Sequence, residues 1–146
     1  MADTAARYRQ PVEWADARSR LTATPVATLA TLDARAHPHL VPVCFAVLDD
    51  ERIVTAVDHK PKRGPALRRL DHVRARPAVG LLVHHYEDDW DALWWVRVDG
   101  AGVVVDRPGK ELIDPLVAKY EPYAERPPAG AAIVITIERW TGWSAR

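Results

Sequence analysis

The sequence predicts a single-domain α+β protein built on an antiparallel β-barrel. The chain has 146 residues, which is about the length of one domain. Six or seven short stretches have strand-like patterns, and most are joined by short polar turns, which favours antiparallel neighbours. The predicted helices do not alternate regularly with the strands, and this disfavours a doubly wound parallel sheet.

The N-terminal half predicts one helix followed by three strands. The helix begins around Gln10 and Pro11, because proline fits the first helical position, and it ends near Leu21. Small and β-branched residues then alternate between polar turns. The three strands cover residues 25–32, 39–48 and 53–57. Short turns make them an antiparallel meander, and Pro42 indicates an edge or a bulge in the second strand.

The C-terminal half predicts two helices and at least three strands. The helices cover residues 66–70 and 108–120, and the second carries an apolar stripe of Leu112, Leu116 and Tyr120. The strands cover residues 78–85, 93–105 (as one strand or two) and 131–138. The first of these is apolar on both faces at its centre, which favours packing on both sides. A tryptophan-rich tail follows the last strand.

Composition excludes several classes of function. Lys and Arg number 20 and Asp and Glu number 20, so no positive excess indicates a general nucleic-acid binder or a membrane-surface protein. No apolar run approaches the ~20 residues of a membrane helix, and the N-terminus lacks the apolar region of a secretory signal. The single cysteine, Cys44, excludes an intrachain disulfide and favours a reducing compartment. We therefore expect a cytoplasmic protein that binds no nucleic acid and no membrane.

The sequence predicts neither a catalytic side chain nor a metal site. Ser19 and Ser144 do not lie in a nucleophile elbow, and Cys44 lies in an apolar run typical of a buried thiol. Two histidine pairs, His37 with His39 and His84 with His85, lack a further ligand at metal-site spacing. If the protein is an enzyme, a bound cofactor is expected to supply the reactive atom.

A concentrated cationic segment lies between Lys60 and Arg76. Its seven basic residues are Lys60, Lys62, Arg63, Arg68, Arg69, Arg74 and Arg76. The first part follows a predicted strand and contains prolines and a glycine, so we expect a shaped loop that binds a phosphate together with the start of the next helix. The alternative is a solvated helix face.

Tryptophan is the second unusual feature. Trp94 and Trp95 must point to opposite faces if they lie in a strand, so one can face the core and the other a ring-shaped ligand or a partner. Trp140 and Trp143 near the C-terminus are expected to cover a pocket or a dimer seam. The alternative is that all of these rings serve packing.

Four segments, taken in order, resemble a known family. ATLATL at residues 27–32, PHLVPV at 38–43, KPKR at 60–63 and WWVRVDG at 94–100 are similar to the pyridoxamine-phosphate-oxidase-like split-barrel flavoproteins. They are most similar to the actinobacterial branch that uses the deazaflavin coenzyme F420. The likeness extends from Val12 to Trp143. It implies a six-stranded antiparallel split β-barrel with flanking helices, assembled as a homodimer with its cofactor sites at the interface.

The resemblance also implies which residues bind the cofactor. The loop after the third strand grips the cofactor phosphate with Lys60, Lys62 and Arg63. The ring is lined by Val41, Pro42, Val43, Thr55, Ala56, Val57 and Asp58. The partner subunit contributes Trp94, Trp95, Arg97, Trp140 and Trp143. One departure is GPAL at residues 64–67, where many relatives carry an Arg-Asn-Leu-like run.

The resemblance permits either FMN or F420, and charge favours F420. FMN ends in one phosphate, whereas F420 carries a phosphodiester and glutamate carboxylates that suit a longer cationic track, such as one continued by Arg68, Arg69, Arg74 and Arg76. We therefore predict an F420-dependent oxidoreductase that transfers hydride to or from a small organic acceptor. The alternatives are an FMN-binding oxidoreductase, a non-catalytic F420 carrier, and a haem- or tetrapyrrole-binding barrel with His84 or His85 as axial ligand. His59 and Tyr86 are weak candidates for a proton donor, and neither is assigned that role.

Overall fold

The computed structural model describes residues 10–57 and 65–145. The strands are β1 (Gln10–Pro11), β2 (Ala27–Leu32), β3 (Pro38–Val43), β4 (Ala46–Val47), β5 (Arg52–Ala56), β6 (Ala78–His85), β7 (Trp94–Val105) and β8 (Ala132–Ser144). The helices are α1 (Trp14–Ala23), α2 (Pro65–Ala75), α3 (Lys110–Lys119) and α4 (Glu121–Glu125), with a 3₁₀ turn at Trp90–Ala92. The α+β class and the antiparallel strand pairing agree with the prediction.

The strands form one curled antiparallel sheet. Its strand order is β3-β2-β6-β7-β8-β5-β4, and β1 pairs with the end of β8. The two edge strands, β3 and β4, are separated in the chain by only Cys44 and Phe45. That link spans ~11 Å, whereas the edges of a flat sheet of this size would be ~29 Å apart. The sheet must therefore curl until its edges meet, which is the geometry of a split barrel.

Apolar side chains from the strands and from two helices fill the barrel. Leu29, Phe45 and Val96 are fully buried there, and α1 and α2 add Leu21 and Val73 to the same cluster. A second cluster lies on the other face of the sheet, where α3 and α4 pack on β4, β5 and the start of β8. Among the described residues, no helix covers the outer face of β3, β2, β6 and the first half of β7.

The segment of residues 39–48, predicted as one strand, is divided in two. Phe45 is fully buried, and its backbone N–H and C=O both bond to the Tyr120 hydroxyl, at 2.9 and 3.0 Å. These backbone groups are therefore satisfied by a side chain from the junction of α3 and α4 rather than by a neighbouring strand. The division gives a path of seven strands instead of the predicted six.

The predicted tail is part of the longest strand. β8 continues to Ser144 and pairs with β7 along its whole length, with one irregularity at Asp99 and Gly100. β7 is a single strand, so the two-strand alternative is wrong. Gln10 and Pro11 extend the sheet instead of beginning α1, because they pair with Ser144 and Trp143. Proline is tolerated there since the position lies at a sheet edge.

β6 has the predicted bounds but not the predicted burial. Val79, Leu81 and Val83 are buried, whereas Gly80 and Leu82 between them are only half-buried. The strand therefore packs on one face and leaves the other partly open. Within the described ranges, every helix is too short or too polar to cross a lipid bilayer.

Candidate functional site

The outer face of β6 and β7 carries an open pocket of about 500 Å³. Leu82 and His84 of β6 lie directly opposite Arg97 and Trp95 of β7, so the four side chains project from the same face. Tyr86 completes the lining. Its ring meets that of His84 edge-to-face, with centroids 5.8 Å apart. The volume falls within the ~300–1,000 Å³ typical of small-molecule sites.

Trp94 and Trp95 face opposite sides of the sheet, as predicted. Trp95 lines the outer pocket, whereas Trp94 packs against the barrel core and lines a different pocket of about 400 Å³ near the end of α1. The Trp94 ring contacts two side chains: the Arg20 Cζ lies 4.9 Å from its centroid, and the His85 ring is stacked with its centroid 6.4 Å away. Only Trp95 is therefore on the same face as Arg97.

The predicted ring-lining residues of β3 are divided between the two faces. Val43 is buried and Val41 half-buried against the core, whereas Pro42 is exposed on the outer face. Pro42 lies opposite Thr28, Thr28 opposite Leu82, and Leu82 opposite Arg97. Because neighbouring strands are ~4.8 Å apart, Pro42 and Arg97 belong to one row but lie ~14 Å from each other.

The predicted ring-lining residues of β5 have buried side chains. Thr55 is 2% exposed and donates a 2.7 Å hydrogen bond to the Cys44 carbonyl. Ala56 and Val57 belong to the two apolar clusters. The Val57 backbone is also paired, since its N–H donates to the Ala131 carbonyl and its C=O accepts from the Gly130 N–H. A ligand beside this strand could therefore contact only those backbone atoms that are not already hydrogen-bonded.

The predicted phosphate loop lies outside the described residues. Asp58, Lys60, Lys62 and Arg63 fall in the gap between residues 57 and 65, as does the weak proton-donor candidate His59. Their roles remain predictions.

The arginines of α2, together with Arg76 just after it, do not form the continuous cationic track expected for F420. Arg68 is exposed. Arg74 bonds to Asp106 at 2.7 Å and to Asp71 at 3.3 Å. Arg76 donates to the Ala34 carbonyl at 3.3 Å. Arg74 and Arg76 are thus occupied by groups of this chain, and the distinction between F420 and FMN drawn from their charge is weakened.

The two tryptophans of the C-terminal segment have different positions. Trp140 packs against the core, and its ring lies 5.3 Å from that of Trp14. Trp143 lies opposite Trp95 on the outer face and is half-buried. The structure therefore brings Trp95, Arg97 and Trp143 together on one face, while Trp94 and Trp140 lie on the other.

Two partly buried cationic side chains were missed by sequence reasoning. Burial lowers the pKa of Lys119 to about 8. Its Nζ lies 3.7 Å from the centre of the Phe45 ring and donates to the Leu21 carbonyl at 3.3 Å. Arg20 lines the 400 Å³ pocket. No local sequence pattern distinguishes Lys119 or Arg20 from other basic residues, because their burial is decided by packing between distant segments.

Comparison with known proteins agrees with this architecture. The model of the pyridoxamine 5'-phosphate oxidase family matches residues 14–144. No curated protein sequence is significantly similar to the chain.

Several solved structures share the fold. A conserved hypothetical protein from Mycobacterium tuberculosis has a TM-score of 0.74 at 21% identity, covering 92% of this chain and 86% of that one. A FAD-binding protein from Mesorhizobium loti has a TM-score of 0.67 at 20% identity, with coverages of 94% and 98%. A FAD-binding protein from Mycobacterium smegmatis has a TM-score of 0.59 at 13% identity, with coverages of 91% and 95%. Since the family match spans most of the sequence, the chain belongs to the pyridoxamine 5'-phosphate oxidase family.

Proposed function

We propose that this chain is a homodimeric oxidoreductase that holds a flavin-type cofactor where two copies meet, and that this cofactor is coenzyme F420. The observation that carries the proposal is the open outer face of the sheet. There Trp95 and Arg97 line a pocket of about 500 Å³, and Pro42 of the same row lies ~14 Å away. Both parts of the predicted site therefore share a face but are too far apart to enclose one ring within a protomer.

A second copy supplies what one protomer lacks. In a two-fold symmetric dimer the same patch is used by both chains, so Trp95 and Arg97 of one copy can approach the β3 side of the other. Two large apolar side chains on this face support such an association, since Leu40 is 68% exposed and Val103 is 61% exposed. Their burial against a partner would be favourable.

The residues present fit an anionic, aromatic group. Trp95 and Tyr86 offer ring faces for stacking, and half-exposed Arg97, which donates one hydrogen bond to Asp99 at 3.3 Å, adds a cation beside them. The cationic segment that begins at Lys60 suits a phosphate. The family of the chain and the FAD-binding proteins that share its fold support the same cofactor class.

FMN is the second candidate, and one observation favours it. F420 requires cations beyond its phosphate, yet Arg74 is engaged by Asp71 and Asp106, and Arg76 by a backbone carbonyl. Of the four arginines that could extend the track, exposed Arg68 near the start of α2 is the clearest candidate. F420 remains the proposal because of the sequence resemblance, with Arg68 as the residue that distinguishes the two cofactors.

The chain's own residues bind and orient. When bound, the cofactor supplies two-electron chemistry, with hydride passing to or from a small organic acceptor. Trp95 would hold the ring in place, and the apolar face closed by a partner would exclude water from it. His84 and Tyr86 line the pocket but are exposed, so no proton transfer is assigned to either.

Calorimetric titration with F420 and with FMN tests the cofactor assignment. We expect micromolar or tighter binding of F420 and weaker binding of FMN. Replacing both Lys62 and Arg63 with alanine should cost ~3 kcal/mol or more, since each charge-assisted contact contributes roughly 1.5–3 kcal/mol. Arg68→Ala should weaken F420 binding but not FMN binding, and exposed Arg126→Ala is the matched control. Absence of micromolar binding for both cofactors would overturn the proposal, and tighter binding of FMN would overturn the choice of F420.

Light scattering tests the assembly. We expect a dimer at micromolar protomer concentration, and Leu40→Glu should shift it toward the monomer because it places a charge on the apolar outer face. Cofactor affinity should fall with the dimer fraction. If the wild-type protein is a monomer and still binds the cofactor at micromolar concentration, the cofactor site does not lie at an interface.

A further inference from the structure

The pocket beside Trp94 lies next to the outer-face pocket but, apart from His84, is lined by different charged and aromatic residues. Its volume is about 400 Å³, and it lies between the end of α1 and the end of β6. Arg20 and Ser19 line it from α1, and His84, His85 and Trp94 from the sheet. Arg20 and His85, together with the Trp94 ring, therefore give this pocket cationic and aromatic lining.

Arg20 has no carboxylate partner within 4 Å in the described part of the chain. By contrast, Arg18, Arg52 and Arg74 each bond to an aspartate. Arg20 is half-buried, its Cζ lies 4.9 Å from the Trp94 ring centroid, and its Nη2 donates to the Ser144 hydroxyl at 3.3 Å. Among the described residues, no acid neutralises its positive charge, which is costly for a group withdrawn from water.

One donor of the same guanidinium is also unsatisfied. Arg20 Nη1 is buried and has no hydrogen-bond partner among the described residues. Buried donors in folded proteins are nearly always paired, and an anion in the adjacent pocket could pair with this one. A small rotation that turns Nη1 toward the pocket would replace an unpaired buried donor with a charge-assisted hydrogen bond to an anion.

We propose that this pocket binds a small organic carboxylate, with Arg20 as its anchor. The planar fork of a guanidinium matches the two oxygens of a carboxylate. One full positive charge matches a monoanion, since the Nε2 of His85 is already paired with Glu87 at 2.8 Å. Trp94 offers an apolar surface for the organic part of the ligand.

The position of His84 connects this pocket with the candidate cofactor face. This residue lines both pockets, so a molecule anchored at Arg20 can extend past it toward Trp95. The acceptor would then be a carboxylate-bearing compound. This last step rests on the proposed function, whereas the carboxylate site itself does not.

Binding of benzoate and of benzyl alcohol to the cofactor-free protein tests the site. The two probes are similar in size, and only benzoate is charged. Ligand-observed NMR at pH 7.5, in a buffer free of other carboxylates and of phosphate, should show benzoate binding at least tenfold more tightly. Equal affinity of the two probes would overturn the proposal, and this comparison needs no variant.

Variants then assign the effect to Arg20. Arg20→Gln should remove the preference for benzoate, Arg20→Lys should reduce it because the charge remains while the fork is lost, and exposed Arg107→Gln should leave it unchanged. A preference that survives in Arg20→Gln would place the anion elsewhere and overturn the assignment. Because no cofactor is added, failure of F420 or FMN to bind leaves these results unaffected.

Discussion

Removal of the Tyr120 hydroxyl is expected to destabilise the closure of the barrel. This oxygen accepts a hydrogen bond from the Phe45 N–H at 2.9 Å and shares its single proton between the carbonyls of Phe45, at 3.0 Å, and Pro25, at 2.8 Å. Tyr120→Phe therefore removes about two hydrogen bonds at once. At roughly 0.5–1.5 kcal/mol each, with a buried N–H left unpaired, the loss should be about 2 kcal/mol.

Urea denaturation measures this loss directly. The protomer concentration must be the same for both proteins, since association contributes to apparent stability. In a thermal melt the same change should lower Tm by about 5 °C for a chain of this size. Tyr86→Phe is the matched control, because Tyr86 is 62% exposed, and it should change stability by less than ~0.5 kcal/mol. If Tyr120→Phe has as small an effect as the control, the hydroxyl does not hold the two sheet edges together.

Two other predictions concern stability. Burial lowers the pKa of Lys119 to about 8 from the ordinary lysine value of 10.5, so between these values the unfolded chain binds more protons than the folded one and stability should rise with pH. Lys119→Met should remove that rise, as followed by urea midpoints from pH 7.5 to 10.5, and an unchanged pH slope in the variant would contradict the assignment. An added Cβ at Gly100 would collide with the Thr136 carbonyl oxygen, whereas at Gly80 the nearest atom is 3.7 Å away. Gly100→Ala should therefore cost more than ~2 kcal/mol while Gly80→Ala is tolerated, and similar melting of the two variants would refute the close approach.

The family and much of the fold could be predicted from sequence because they depend on local patterns. β6 was predicted with its observed bounds, since alternation of apolar residues after Pro77 marks a strand regardless of its neighbours. The Leu112 and Leu116 stripe was likewise correct, and both residues are buried. The opposite orientation of Trp94 and Trp95 follows from strand geometry alone.

Features that depend on contacts between distant segments could not be predicted in this way. Residues 39–48 read as one strand because nothing local shows that Tyr120, 75 residues away from Phe45, occupies the backbone groups at the break. The arginines of α2 look alike in sequence, yet Arg74 is neutralised by Asp106, 32 residues further along the chain.

The sequence by itself therefore determined most of the strands and helices and the chemical kinds of side chain available: a cationic segment, a set of tryptophans and no obvious nucleophile. Only the tertiary structure decided which of these side chains share a face, which charges are already paired, and that Arg20 is half-buried with no acid beside it in the part of the chain that the structure describes. The physical reason is that periodicity records how a residue faces its own element, whereas pairing and burial depend on which elements the curled sheet brings together.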